Sequence, residues 1–304
     1  MTFSKTSEAD DLQSRLFQIT RALSLEERNV INNPAGLQRA ANFIEEFFTR
    51  IGLIVSRQTF RVDGVDCHNI EGVTRDFCGT ASPHWILGAH YDSAPGTPGA
   101  DDNASAVAIL LETARLLIQS DVTPNNIRFV AYANEEPPHF HNETMGSLIH
   151  ARSCRKNGDK IQGMICLESL GYYSNEPSSQ ELPTLFGMPE ATLAYIRSRG
   201  IEPTVGNFLA IVGDEKSEGL LELFDSRFAT GLAMPTMPLI MPEMRLSDHL
   251  CYWDEGFPAI MLTDTALFRN PNYHKHTDTV ETLNFEAMAS ITKNLVTAMQ
   301  GLSA

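Results

Sequence analysis

The chain has 304 residues, of which 42% are hydrophobic and 20% are charged, a composition typical of a protein with a sizeable core. Its formal net charge of −15 argues against a nucleic-acid partner, because an acidic surface repels a phosphate backbone. The 20 Gly and 16 Pro are too few and too dispersed for a collagen-like or disordered chain.

No apolar run approaches the roughly 18 residues that a transmembrane helix needs, and the first residues lack the apolar stretch of a signal peptide. We therefore expect a cytoplasmic protein with no membrane partner. The five cysteines are an odd number, are widely spaced and include no CxxC pair. They indicate buried thiols rather than a disulfide framework or a structural zinc site.

Two amphipathic helices are predicted at the start of the chain, because apolar residues recur at helical spacing over residues 12–23 and 37–48. A β-hairpin should follow, with strands over residues 55–61 and 65–73. The pair Asp63-Gly64 between them is typical of a tight hairpin turn.

Short apolar runs then alternate with helical patterns. The runs cover residues 85–89, 127–133, 164–167 and 259–262, and the helical patterns cover residues 104–118, 143–156, 191–199, 218–228 and 285–299. Continuous apolar strands between helices indicate a sheet that is covered on both faces and largely parallel at its centre.

We therefore expect a single α/β domain over residues 1–304. It should be a three-layer sandwich whose central mixed, largely parallel β-sheet has helices on both faces, with the N-terminal helices of residues 7–51 packed on it. A Met- and Pro-rich stretch, residues 233–244, is the one compositional oddity. It is consistent with loop packing or with a pliable apolar wall for a substrate side chain.

Three of the predicted strands end in ionisable residues. His90 and Asp92 follow the first strand, Glu135 and Glu136 follow the second, and Glu168 follows the third. Ligands bind beyond the carboxyl ends of parallel strands. These side chains should therefore share one crevice if the strands are parallel neighbours.

Asp101 and Asp102 add two carboxylates between the first of these strands and its helix. They could cap that helix, but together with the strand-end acids they would crowd like charges that require a cation. Nearby Lys and Arg are few, whereas His90, His274 and His276 supply imidazoles. Mixed histidine and carboxylate sets suit zinc. A set of five such histidine and carboxylate ligands would exceed the number that one catalytic zinc takes, which favours two metals that share a carboxylate.

Six ordered motifs resemble those of the M28 family of dizinc aminopeptidases. They are GAHYDS (88–93), GADDNAS (99–105), NEE (134–136), CLES (166–169), SDH (247–249) and YHKHTDT (273–279). The resemblance implies the zinc-dependent exopeptidase fold, two Zn²⁺ ions, and hydrolysis of N-terminal residues from peptides or aminoacyl substrates.

Carried onto this sequence, the resemblance implies five metal ligands: His90, Asp102, Glu136, Glu168 and His274. Asp102 would bridge the two ions, and Glu168 stands where many relatives have Asp. Glu135 would be the general base that deprotonates a water acidified between the zincs and then protonates the leaving amine. Asp92 would orient His90 through its second ring nitrogen.

The substrate contacts follow less directly from the motifs. Relatives can place a Tyr four residues before the Asp of SDH, where this chain has Met244. We assign Arg245 as an oxyanion or carboxylate contact, with a surface arginine as the alternative. Asp248 and His249 are predicted either to line the site or to make hydrogen bonds in the core. His276, two positions beyond the matched ligand, would be a supporting or exposed histidine.

Other activities remain open. A glutaminyl cyclase would have the same architecture with a single zinc, and a carboxypeptidase or N-acyl amino-acid deacylase could use the same dizinc centre. A catalytically silent binding module is disfavoured, because no matched ligand is missing. The sequence leaves open the preferred N-terminal residue and the oligomeric state.

Overall fold

The structure, a computed structural model, describes residues 8–120, 124–181, 190–228, 231–232 and 234–302. These residues form eight α-helices and one eight-stranded β-sheet. The helices are α1 (Glu8–Leu23), α2 (Pro34–Arg50), α3 (Ala106–Gln119), α4 (Gly146–Asn157), α5 (Glu190–Ser198), α6 (Glu218–Phe228), α7 (His249–Asp254) and α8 (Phe285–Gln300). Within the described ranges, no helix has the length and apolar character that a bilayer crossing requires.

The sheet is mixed, with a parallel centre. Its strands are β1 (Ile54–Val62), β2 (Val65–Val73), β3 (His84–His90), β4 (Ile127–Tyr132), β5 (Ile161–Glu168), β6 (Leu209–Gly213), β7 (Thr236–Ile240) and β8 (Ala259–Thr263). Their spatial order is β1-β2-β4-β3-β5-β8-β6-β7. Strands β4, β3, β5 and β8 run parallel to one another, whereas β2 pairs antiparallel with β4 and β6 pairs antiparallel with β8. The predicted mixed, largely parallel sheet is confirmed.

Helices cover both faces of the sheet, as predicted. Successive residues of β5 show this arrangement, since Ile165 and Leu167 lie in one core while Met164 and Cys166 lie in the other. The first core also contains α1, α2, α3, α6 and α8, and the second contains α4 and α7. The described part of the N-terminal segment packs through α1 on α3 and α8, and through α2 on β1 and β2.

Two strands and one helix were not predicted from the sequence. Strands β6 and β7 each have only five residues, and α7 has six. Strand β7 comes from the Met- and Pro-rich stretch, so interpreting that stretch as loop packing is wrong. Pro238 fits there because β7, paired with β6, is the edge strand of the sheet that the described residues form, and a residue without an N–H is tolerated at a sheet edge. Residue 7 of the predicted helices and residue 233 of this stretch lie outside the described residues.

Two predicted helix starts are also corrected. Helix α4 begins at Gly146 rather than at residue 143, because Met145 has an extended backbone. Helix α3 begins at Ala106 rather than at residue 104, because the preceding turn contains non-helical backbone at Asp102 and Asn103. The turn thereby leaves the Asp102 side chain free to face the strand ends.

Candidate metal centre

Seven ionisable side chains meet beyond the carboxyl ends of β3, β4 and β5: His90, Asp92, Asp102, Glu135, Glu136, Glu168 and His274. His90 is the last residue of β3 and Glu168 the last of β5, while Glu135 and Glu136 follow β4. Because these three strands are parallel neighbours, the predicted crevice forms. Six of the side chains are buried, and that of His274 is 31% exposed.

Two overlapping sets of metal-ligand atoms lie within this crevice. In the first set, Nε2 of His90 lies 3.3 Å from both Oδ1 of Asp102 and Oε2 of Glu168. In the second set, Nε2 of His274 lies 3.1 Å from Oδ2 of Asp102 and 3.0 Å from Oε2 of Glu136. Asp102 therefore belongs to both sets, through a different oxygen in each.

Several atoms of these sets lack hydrogen-bond partners. Both ring nitrogens of His90, Oδ1 of Asp102 and Oε1 of Glu136 are buried and have no such partner among the described residues. Buried polar atoms in folded proteins are nearly always paired. A cation would satisfy Nε2 of His90 and Oδ1 of Asp102, and sets of histidine and carboxylate ligands fit zinc.

The electrostatics of the site also fit a cation. Burial lowers the pKa of His274, but the carboxylates of Asp102 and Glu136 raise it to about 10. Burial and the charge of Asp102 raise the pKa of Glu136 to about 8. Without a metal, the imidazoles therefore hold protons that partly offset the carboxylates, and a bound metal would replace those protons.

Asp92 supports more of the site than the sequence predicted. Oδ1 of Asp92 lies 3.4 Å from Nδ1 of His90, in the place expected of an orienting carboxylate. Its two oxygens also accept hydrogen bonds from the backbone N–H groups of Glu135 at 3.1 Å and Glu136 at 3.0 Å. One carboxylate thus ties the end of β3 to the loop after β4.

Asp278 positions the turn that carries Asp102. Its carboxylate accepts hydrogen bonds from the backbone N–H groups of Asp101 at 2.9 Å and Asp102 at 3.2 Å. The Asp101 carboxylate accepts a hydrogen bond from Nδ2 of Asn270 at 2.7 Å. These three bonds hold the loop of His274 against this turn. Asp278 had no predicted role beyond its place in the YHKHTDT motif, and the helix-capping role considered for Asp101 and Asp102 is wrong.

The SDH motif serves the site through its serine. Ser247 donates a hydrogen bond of 2.6 Å to Oε2 of Glu168. Asp248 is buried, its two carboxylate oxygens have no hydrogen-bond partner among the described residues, and burial raises its pKa to about 7. His249 contacts the carbonyl of Met244 through Nε2 at 2.8 Å, so it makes the core hydrogen bond considered as an alternative.

Arg245 and His276 lie apart from the two ligand sets. The Arg245 guanidinium pairs with Asp254, which also contacts Nε2 of His141 at 3.0 Å. This pairing matches the surface alternative considered for Arg245. His276 is exposed and belongs to neither ligand set.

An apolar cavity adjoins the crevice at Glu168 and Tyr273. Its walls come from β6, β7, β8 and adjoining loops, and they include Phe208, Ala210, Met237, Leu239, Met241 and Met244. The ring of Tyr273 stacks on that of His274, with centroids 3.9 Å apart and an angle of 16° between the planes. The Met- and Pro-rich stretch therefore supplies one wall of a cavity beside the ligand sets.

Comparison with known proteins extends these observations. The model of Peptidase family M28 matches residues 73–299. The chain is 36% identical to the uncharacterized protein YfbL of Escherichia coli over 303 residues, which cover 95% of this chain and 87% of that protein. It is 26% identical to leucine aminopeptidase 1 of Arthroderma otae over 69% of this chain and 52% of the relative. The chain spans about half the length of that fungal relative.

Three solved structures share the fold. The aminopeptidase LapA of Legionella pneumophila matches with a TM-score of 0.73 and 18% identity, covering 100% of this chain and 76% of LapA. A glutaminyl cyclase of Porphyromonas gingivalis matches at 0.67 and 18%, covering 96% of this chain and 99% of the cyclase. A Zn-dependent exopeptidase of Parabacteroides distasonis matches at 0.64 and 17%, covering 95% and 96%. The zinc-exopeptidase-like fold predicted from the sequence is confirmed.

Proposed function

This chain belongs to peptidase family M28, and from that membership we propose that it is a zinc-dependent aminopeptidase that removes apolar N-terminal residues from peptides. The observation that carries the proposal is the pair of ligand sets that share Asp102. The second set could hold one ion, and the first set, which contains His90 and Glu168, could hold another. Two bound zinc ions would polarise the scissile carbonyl and lower the pKa of an attacking water.

Glu135 is the group that moves protons. It belongs to neither ligand set, yet its Oε2 lies 3.7 Å from Nε2 of His90. Burial raises its pKa well above the usual range; the charge of His90 opposes this rise and that of Glu168 adds to it. A carboxylate with a raised pKa can take a proton from water near neutral pH and later donate it to the leaving amine.

Acidic side chains at the site would also favour binding of the substrate's N-terminal amine. An N-terminal ammonium group beside Glu136 and Glu168 would find negative charge, which supports a preference for free N-termini over internal bonds. The adjoining apolar cavity would take the first side chain of the peptide. Its methionine-rich wall suits long apolar side chains such as leucine or methionine, because Met packs adaptably.

Tyr273 is the candidate donor to the developing oxyanion. It lines the cavity together with Glu168, and its hydroxyl has no hydrogen-bond partner among the described residues. The other wall hydroxyls, those of Thr263 and Thr265, already make hydrogen bonds. Tyr273 therefore takes the role that the sequence suggested for Arg245, which is paired with Asp254.

A glutaminyl cyclase is the second candidate function. The set of Asp102, Glu136 and His274 could hold a single ion, and the cyclase of Porphyromonas gingivalis matches along nearly its whole length. The complete first set, which adds His90 and Glu168, favours hydrolysis. The cytoplasmic location expected from the sequence stays a prediction.

A substrate panel tests the proposal. Zinc-loaded protein would be given leucine amide, N-acetyl-leucine amide and a peptide with N-terminal glutamine. We expect release of ammonia from leucine amide alone. Cleavage of the acetylated amide would contradict the aminopeptidase function and favour a deacylase-type specificity, and loss of ammonia from glutamine with ring closure would favour the cyclase.

A further inference from the structure

Arg28 is buried between α1 and α2, and its side chain binds backbone carbonyl groups. It is 1% exposed and forms no ion pair with a carboxylate in the described ranges. Its Nε donates to the carbonyl of Tyr91 at 2.8 Å, and its Nη1 donates to those of Leu23 and Pro98 at 2.6 Å each. Its Nη2 donates to the carbonyl of Gly99 at 3.0 Å.

Three of these carbonyls belong to the loop that joins His90 to Asp102. Tyr91 lies directly after His90, and Gly99 begins the turn that carries Asp102. Gly99 has a φ of +60°, and a Cβ there would lie 2.3 Å from the Asp102 carbonyl oxygen and 3.2 Å from Nη2 of Arg28. The guanidinium is therefore packed closely against the turn.

The backbone of Arg28 and the side chain of Glu27 also form hydrogen bonds with the loop between His90 and Asp102. The N–H of Arg28 donates to the Ser93 hydroxyl, and its carbonyl accepts from the Ser93 N–H, each at 3.0 Å. Glu27 accepts a hydrogen bond from the N–H of Gly96 at 2.7 Å. The fourth carbonyl bound by Arg28, that of Leu23, is at the end of α1. Residues 23–28 thus fasten α1 to the loop between two candidate ligands.

The charge and the hydrogen bonds of Arg28 act on metal binding in opposite directions. Burial lowers its pKa to about 10, and the charges of Asp92, Asp278 and Asp102 oppose that lowering, so the side chain remains a cation at neutral pH. A cation near the site repels a divalent metal. The hydrogen bonds instead hold the ligand-bearing loop in one geometry, which reduces the ordering cost when a metal binds.

We propose that Arg28 is a positioning residue that couples docking of α1 to metal binding, with its hydrogen bonds outweighing its charge. The inference rests on the metal site of the proposed function. Coupling between two sites is reciprocal. Zinc should therefore strengthen the docking of α1, and loss of the Arg28 hydrogen bonds should weaken zinc binding.

The test measures zinc affinity by equilibrium dialysis and amide hydrogen exchange across α1 by mass spectrometry, with and without zinc. The variants are Arg28→Met, which removes charge and donors, and Arg28→Lys, which keeps the charge but loses the fork of donors. Arg39→Met is the matched control, because Arg39 lies in α2 with its side chain 58% exposed and paired with Glu26.

We expect both Arg28 variants to bind zinc about 10 to 100 times more weakly than the wild type, and Arg39→Met to bind within about twofold. In the wild type, zinc should slow exchange across α1, and this response should be smaller in Arg28→Lys. Tighter zinc binding by Arg28→Met would show that charge dominates and would overturn the proposal. If Arg28→Met fails to fold, unchanged α1 exchange in the zinc-bound wild type would overturn it equally. A wild type that binds no zinc would contradict both this inference and the proposed function.

Discussion

The carboxylate of Asp92 accepts a hydrogen bond from the backbone N–H of Glu136 at 3.0 Å. It holds the N–H of Glu135 in the same way, at 3.1 Å. Two chemically identical side chains thus start from one anchored backbone and reach different neighbours. Glu136 reaches His274 at 3.0 Å, and Glu135 reaches toward His90 at 3.7 Å. The proposed roles, general base for Glu135 and metal ligand for Glu136, are based on those directions.

Exchanging each glutamate for glutamine separates the base from the ligand. Glu135→Gln should keep both zincs but lower kcat by about 10² to 10⁴, because glutamine cannot carry the proton. Glu136→Gln should lose zinc affinity, because a neutral amide is a poorer ligand. Bound zinc and turnover of leucine amide are measured for both variants.

Each variant serves as the control for the other, since both leave the Asp92 hydrogen bonds to the backbone available. Full activity of a two-zinc Glu135→Gln protein would contradict the mechanism. Loss of metal from Glu135→Gln but not from Glu136→Gln would mean that the two roles are exchanged.

Because Asp102 belongs to both ligand sets, substitutions at Asp102 and at His90 should affect zinc binding differently. Wild-type protein should bind two zinc ions per chain at neutral pH. Asp102→Ala should weaken both, since each oxygen of Asp102 serves one ligand set, whereas His90→Ala should chiefly weaken one. Elemental analysis and competitive titration with a chelator measure the stoichiometry and the affinities. Saturation of the wild type at one ion would instead support the single-zinc cyclase.

Narrowing the apolar cavity should change the substrate preference. Ala210 lies in its wall, on β6, and Ala210→Leu would fill part of the space for the first side chain. We expect the ratio of kcat/KM for leucine amide to that for alanine amide to fall at least about tenfold. Met237→Leu, a substitution of similar volume in the same wall, is the control and should leave the ratio nearly unchanged. An unchanged ratio in Ala210→Leu would contradict the assignment of this cavity.

A buried cluster away from the metal centre predicts a pH dependence of stability. Nε2 of His150 contacts Glu71 at 3.1 Å, and Glu71 also pairs with Arg128. Burial lowers the pKa of His150, but its contacts with Cys154 and Glu71 raise it to about 9. Burial raises the pKa of Glu71, but the hydrogen bond to His150 and the charge of Arg128 lower it to about 2.

The raised pKa of His150 stabilises the folded state fully below its unfolded value of 6.5, and this contribution is lost as the pH rises toward 9. The lowered pKa of Glu71 acts at the other end, where its contribution is lost as the pH falls from 4.5 toward 2. Between pH 6.5 and 9 the free energy of unfolding should fall by about 2 to 3 kcal/mol more in the wild type than in His150→Gln. Urea unfolding of both proteins with EDTA measures it, and equal slopes would contradict the assignment.

The clustering of the ionisable side chains in the candidate metal centre could be predicted from the sequence because it depends on residue type at strand ends. His90, Glu135, Glu136 and Glu168 follow long apolar runs, and parallel strands bring such positions together. Arg28 could not be found in this way. Its partners are backbone carbonyls, which every residue has, and three of them lie 63 to 71 residues further along the chain.

Strands β6 and β7, at one edge of the sheet, could not be predicted from the sequence for a different reason. Strand β6 has five residues, which is too short for periodicity to distinguish it from a loop, and β7 contains Pro238, which argues against a strand in a sequence pattern. Both form because they bury Ala210, Met237 and Leu239 against Phe208 and Ile196 of α5. Only the packed structure supplies that burial.

The ligand sets and the cavity walls come from different parts of the sequence. Strands β6 and β8, which pair antiparallel, belong to the part that lines the cavity. The ligand sets draw on residues 90–168 and 274, while the strands that wall the cavity lie between residues 209 and 263. Glu168 and Tyr273 are where the two regions meet. A lineage could therefore exchange the strands and loops between residues 209 and 263, and with them the shape of the cavity, while the candidate metal ligands before and after that region stay the same.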